Sequence, residues 1–153
     1  MKIGLCAIGI GGGAKFAVLM ESARAAERAG FATLWAGEHV VLFDRQRSRY
    51  PYSPDGEFSF DSGVDWLDPF VALSFAAAAT SRIRLATGIC LIAEHNPLIL
   101  AKQVASLDSL SRGRFVLGAG VGWSAEEFAA LSIPFTRRAA RAREYIGVMR
   151  RLW

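Results

Sequence analysis

The chain has 153 residues, 52% of them hydrophobic and 21% charged, with 18 basic against 14 acidic side chains and a net charge of +4. A chain of this length suits one domain burying roughly 70% of its unfolded surface, so it needs no metal or disulfide staple, and its apolar content excludes a disordered tail. The charge is too mild to point to nucleic acid, and no uncharged apolar stretch reaches the roughly 18 residues of a membrane span.

Met1–Cys6 lacks the layout of a signal peptide, and Cys6 and Cys90 both sit in apolar runs, as reduced thiols do. The expectation is therefore a cytoplasmic protein with a small-molecule ligand and neither a nucleic-acid nor a membrane partner. The first apolar run, Lys2–Ile10, predicts a strand, and Phe16–Ala29 predicts a helix with Phe16, Leu19, Ala23 and Ala26 on one stripe and Gly30 as its stop. Thr33–Gly37 is the second strand. Leu42–Asp65, rich in Tyr, Pro, Ser, Asp and Gly, has no periodic pattern; a stretch of that length is most often a binding loop or lid.

Asp68-Pro69 opens a second helix through Ala79, with the acid as cap and the proline in the first helical position. Ile83–Ile92 is the third strand, Asn96-Pro97 opens a third helix through Leu110, and Arg114–Gly120 is the fourth strand. A last helix, Arg137–Trp153, places Ala142, Tyr145, Ile146, Met149 and Trp153 on one face, with its arginines mostly on the solvated side. The strands are continuous in hydrophobicity, as parallel strands covered on both faces are, and their spacing of about 30, 50 and 30 residues fits right-handed crossovers.

Four constellations could carry chemistry. Gly9-Ile10-Gly11-Gly12-Gly13-Ala14 fits G-x-G-x-x-A, with Glu38 at the end of the next strand as a ribose-binding acid. That is the pattern of a Rossmann-type NAD(P)-binding domain; a mobile glycine turn is the plainer alternative. Glu38-His39 ends the second strand, on the edge where parallel α/β proteins bind ligands, and a histidine there can move a proton.

Thr87-Gly88-Ile89 places a glycine inside a buried strand, which marks a bulge, a ligand's close approach or a tight strand–helix contact. Gly118-Ala119-Gly120-Val121-Gly122-Trp123 strips side chains from one face at a strand end, where a flat ring can lie, and Ser124 with Glu127 fits a helix capping box. Neither His39 nor His95 stands at metal-ligand spacing from a cysteine, so no zinc site is expected. Nucleophile-elbow and Walker motifs are absent.

The order of several short blocks carries a further reading. Gly37-Glu38-His39-Val40, Tyr50-Pro51-Tyr52-Ser53-Pro54-Asp55-Gly56, Asp68-Pro69-Phe70 and Thr80 through Gly88 are followed by His95 through Gln103, Leu107 through Arg114 and Leu117 through Trp123. Together, across essentially the whole chain, they resemble the amino-terminal half of the luciferase-like monooxygenase superfamily, particularly its coenzyme F420-dependent oxidoreductases. The resemblance implies a TIM-type (β/α)8 barrel, of which this chain covers the first four βα units.

It also implies a deazaflavin (F420) or, alternatively, FMN ring at the carboxyl-end mouth. Thr87, Gly88 and Ile89 would back the ring, often through a non-proline cis peptide; Gly118, Gly120, Gly122 and Trp123 would border its pocket. His39 would act in proton transfer or donor orientation, with Glu38 supporting it. Because such barrels run to about twice this length, the resemblance further implies a homo-oligomer or a missing carboxyl-terminal half.

Overall fold

The apolar runs have only one another to satisfy their buried backbone groups. In the computed structural model, which describes residues 1–153, they pair in parallel. Strands β1 (Gly4–Leu5), β2 (Thr33–Ala36) and β3 (Arg84–Thr87) come from the first three runs, and the third resumes after a break as β4 (Cys90–Leu91). The fourth run gives β5 (Phe115–Val116) and β6 (Ala119–Gly120). The main sheet has the order β1-β2-β3-β5, with Leu34 beside Leu85 and Leu85 beside Phe115, while β4 and β6 pair separately at the carboxyl ends.

The helices between them are α1 (Phe16–Arg28), α2 (Pro69–Ala79), α3 (Pro97–Leu110) and α5 (Arg138–Leu152), together with α4 (Ala125–Ala130), a short turn of helix foreshadowed only by its cap. This is the α/β architecture of four successive units of a (β/α)8 barrel. No helix is long and apolar enough to cross a membrane.

Local chemistry fixes the helix ends as expected. Asp68 Oδ1 accepts from Val71 N at 2.9 Å, and Asn96 Oδ1 accepts from Leu98 N at 3.0 Å, each with proline in the first turn. Leu19, Ala23 and Ala26 of α1, Leu73 and Ala76 of α2, and Leu100, Val104 and Leu107 of α3 bury with Leu34 and Leu85 of the sheet in one core. Each fully buried leucine contributes about 1.5–3 kcal/mol. On α5, Ala142 and Met149 are buried and Tyr145 and Ile146 pack on the core, whereas Trp153 stays 56% exposed and donates Nε1–H to Ala101 O at 3.1 Å.

At the opposite end from the strand tips, Arg114 ties the turns together. Its guanidinium donates to the carbonyls of Ala77, Ile83 and Ser111 and to Thr80 Oγ1. Glu27 of α1 accepts from the amides of Ser81, Arg82 and Ile83, and although burial opposes its charge, those bonds hold its carboxyl down at about 2.

Two strands read as continuous in the sequence are broken. The third breaks at Gly88–Ile89, whose peptide bond is cis, and the fourth breaks at Leu117–Gly118. Across the breaks Thr87 Oγ1 donates to Gly118 O at 2.8 Å and accepts from Gly118 N at 2.9 Å, so a side chain replaces a rung of the ladder. Leu42–Asp65 contains neither helix nor strand, as its aperiodic sequence predicts.

Candidate functional site

At the strand carboxyl ends lies a cleft of about 970 Å³. Strand ends contribute Glu38, His39, Gly88, Ile89, Gly120, Gly122 and Trp123 to its lining, and the long loop contributes Tyr50, Tyr52, Phe58 and Phe60. That volume stands at the upper end of the roughly 300–1,000 Å³ of small-molecule pockets, and the lining is mostly apolar with few polar groups, as such pockets are.

His39 is the polar centre of this lining. Its side chain is 9% exposed and stands among the rings of Phe58, Trp66 and Trp123 at 4.9, 5.0 and 6.1 Å between centroids. Its Nδ1 lies 3.0 Å from Glu127 Oε2. Glu127 Oε1 accepts from Val40 N at 2.5 Å and Val41 N at 3.4 Å, so this buried carboxyl is surrounded by donors and takes the Nδ1 proton of the ring as another. Nε2 is then the ring nitrogen left for a ligand.

Sequence reasoning assigned Glu127 to a capping box. Half of the box forms, with Ser124 Oγ accepting from Glu127 N at 3.2 Å, but the carboxylate reaches across to His39 instead of returning to its own helix.

The expectation that Glu38 supports His39 is corrected by the side-chain directions. Neighbouring residues of an extended chain point to opposite sides, so Glu38 turns away from its neighbour. Its Oε2 accepts from Leu91 N at 2.5 Å and its Oε1 lies 2.8 Å from His95 Nε2. Burial opposes the charged form of His95, but the hydrogen bond and charge of Glu38, with Asp68 adding to them, raise its affinity for a proton. Glu38 thus braces β4 just beyond the cis peptide.

Cys90 stands beside this pair: Glu38, Cys90 and His95 bring one donor atom each within 4.8 Å of one another, a juxtaposition invisible to a search for Cys–His spacing. Burial first, then the charge of Glu38, pushes the Cys90 thiol up. Neither Cys90 nor the exposed Cys6 is in a disulfide.

The glycine segments divide into two roles. Gly88, Ile89, Gly120, Gly122 and Trp123 line the cleft, while Thr87 and Gly118 form the hydrogen-bonded staple behind it and do not line it. A Cβ on Gly118 would overlap the Thr87 carbonyl oxygen, and one on Gly120 would overlap the Ile89 side chain. Gly122 has φ +76°, and a Cβ there would sit 2.8 Å from Glu94 Oε1 and from the Phe128 ring.

Glu94 itself is buried with neither oxygen partnered, and burial, then the charges of Glu127 and Glu38, raise its carboxyl to about 8.

The residues around α4 clasp the long loop over the cleft. Glu126 Oε1 accepts from Arg47 N at 2.7 Å and Ser48 N at 3.0 Å, Gln46 Nε2 donates to Ser124 Oγ at 2.8 Å, and Ser48 Oγ accepts from Ala125 N at 3.0 Å. Burial opposes the Glu126 charge, but hydrogen bonds from the Ser48 side chain and from the amides of Arg47, Glu126 and Ser48 hold its carboxyl at about 2. Sequence reasoning missed both Glu126 and Glu127 as loop anchors; two adjacent acids after a capping serine were the available signal.

The Gly9–Ala14 segment has a different use from the dinucleotide pattern. Gly11 N donates to Asp65 O, Gly9 O accepts from Leu67 N, and Ile10 bridges to Trp66. Residues Gly11–Ala14 form a 3-10 turn, and α1 starts only at Phe16. The turn therefore anchors the far end of the long loop, with its Gly11 amide already taken by the chain.

A model of the luciferase-like monooxygenases matches residues 5–153. The chain belongs to the luciferase-like monooxygenase family. The Mycobacterium tuberculosis protein Rv0953c, named as uncharacterized, is 42% identical to this luciferase-like chain over 132 residues, 86% of this chain and 47% of that protein. Monooxygenase RslO1 from Streptomyces bottropensis superposes with a TM-score of 0.77 at 31% identity, over 100% of this chain and 43% of its own.

The coenzyme F420-dependent tetrahydromethanopterin reductase from Methanopyrus kandleri superposes with a TM-score of 0.57 at 25% identity, over 88% of this chain and 30% of its own. This luciferase-like chain spans about half the length of the curated relatives it matches.

Proposed function

We propose that this chain is the amino-terminal half of an F420-dependent oxidoreductase that transfers hydride to or from a small organic substrate, with the deazaflavin ring seated in the strand-end cleft. The observation that carries the reading is the pairing of His39 with Glu127 inside a glycine-floored aromatic cleft. F420 supplies two-electron hydride chemistry when bound.

The residues fit such a group. Gly120 and Gly122 offer backbone without side chains, and Ile89 presents an apolar surface that is 41% exposed. Glu127 holds the imidazole of His39 in one orientation, so that Nε2 can accept or donate a proton at the substrate. The aromatic rings around His39 exclude water, which strengthens that hydrogen bond. Thr87 and Gly118 keep the two strand breaks in register, and Glu38 holds Leu91 in place, so all three act as positioning groups.

An FMN-dependent monooxygenase is the alternative in the same cleft. The F420 dependence of the Methanopyrus relative supports the deazaflavin, and the Streptomyces bottropensis monooxygenase supports the alternative. Titrating the protein with F420 and with FMN, followed by ring absorbance, tests the choice: saturable binding of F420 and weaker binding of FMN is expected. Binding of neither overturns the proposal. The same reading takes the unpaired edges β1 and β5 as closed by four further βα units, in a continuing or second chain, and mass in solution tests the second-chain form.

A further inference from the structure

The cleft carries a charge asymmetry that the hydride reading leaves unused. Arg49 and Arg138 both line it, and neither takes part in a salt bridge. The one acid in the lining, Glu38, has both oxygens committed, to Leu91 N and to His95. Arg138 is also fixed in place by Gly122 O and the Phe135 ring, so its in-plane edge of free N–H groups is pre-organised for a planar oxyanion.

The second feature lies on the loop. Tyr52 is 82% exposed and Phe60 42% exposed, yet both line the cleft and touch other rings, Tyr52 with Tyr50 at 5.5 Å and Phe60 with Trp66 at 5.2 Å. Large aromatic surface left open inside a cleft is the complement of another ring. The strand-end glycines and Ile89 offer a separate, side-chain-poor surface, so a cofactor ring there leaves the loop aromatics free within the 970 Å³.

From these two features, and resting on the oxidoreductase reading above, we propose that the substrate is a planar aromatic acid, its ring against Tyr52 and Phe60 and its carboxylate on Arg138. The loop clasped by Glu126 then determines substrate class, while the strand ends hold the cofactor.

Calorimetric titration of the full chain with naphthoate, naphthylmethanol and cyclohexanecarboxylate tests this. Naphthoate is expected to bind about tenfold more tightly than either of the others, since one lacks the charge and the other the ring. Tyr52→Ala weakens naphthoate and naphthylmethanol several-fold and leaves cyclohexanecarboxylate unchanged. Arg138→Gln weakens both carboxylates about tenfold and leaves the alcohol unchanged.

Equal binding of the three probes, or indifference to both substitutions, overturns the proposal. Displacement of naphthoate by inorganic phosphate, lost in Arg138→Gln, also overturns it, because the guanidinium then serves a phosphate. Tyr52 is exposed, so its variant keeps the test valid if Arg138→Gln fails to fold. Repeating the titrations with F420 or FMN present separates failure of the aromatic-acid site from failure of cofactor binding.

Discussion

His39 Nδ1 meets Glu127 Oε2 at 3.0 Å although 88 residues separate them in the chain. The contact joins the end of β2 to the first turn of α4, and the same carboxylate also accepts from Val40 N. One side chain therefore orients the candidate proton-transfer group and holds the entrance of the loop above it.

Glu127→Ala is expected to cost about 3 kcal/mol, because it leaves a buried imidazole and a backbone amide without their acceptor. Glu127→Gln keeps the volume and one acceptor and costs less. Thermal melts give the stability order, and nitrogen-15 NMR of His39 checks the orientation: the Nδ1–H form dominates in the wild type and loses its preference in Glu127→Ala.

Gly118→Ala forces a Cβ into the Thr87 carbonyl oxygen, which is backbone and cannot move aside. A loss of about 1–3 kcal/mol is expected. Gly120→Ala meets only the Ile89 side chain, which can rotate, so it costs less stability while narrowing the cleft. Gly12→Ala meets nothing within 4 Å and serves as the control, with a change within about 0.5 kcal/mol. Denaturant midpoints of the three variants check the order.

Glu94 makes stability fall on the alkaline side. Its carboxyl is raised to about 8 in the folded chain, above its ordinary value of 4.5, so the folded state holds the proton more tightly than the unfolded state. Its contribution is fully present below about pH 4.5 and is lost as the pH rises through about 8. Glu94→Gln is expected to flatten the fall in melting temperature between those values; an unchanged pH profile would assign the fall to other groups.

Glu126 works with the opposite sign. Its carboxyl is held at about 2, below the ordinary 4.5, so the loop clasp is present above about pH 4.5 and lost as the pH falls through about 2. Glu126→Gln loosens the clasp at neutral pH, and faster limited proteolysis within residues 45–60 is expected, with the core melt little changed.

Much of the fold was legible because its signals are local. Asp68-Pro69 and Asn96-Pro97 start their helices as read, and the four apolar runs are parallel strands. The strand breaks were only half legible: Gly88 marked the first, but nothing in the one-dimensional pattern says that Thr87 hydrogen-bonds to Gly118 across it. The candidate site was legible in position and not in pairing. Glu38 and His39 are adjacent in sequence, which invites pairing them, yet strand alternation turns them apart, toward His95 and Glu127 respectively. Long-range partners of buried carboxylates are set by tertiary packing, and no spacing rule reaches across 88 residues.

The central claim is that the strand-end cleft, floored by Gly88–Ile89 and Gly120–Gly122 beside His39, holds a flavin-type ring. Amide hydrogen exchange of the protein with and without F420 or FMN tests it most directly. The account predicts saturable protection concentrated at residues 88–91 and 119–123 and at His39, with none at Gly11–Gly13, which do not line the cleft. Saturable protection centred on Gly11–Gly13, or none from either cofactor, would contradict it.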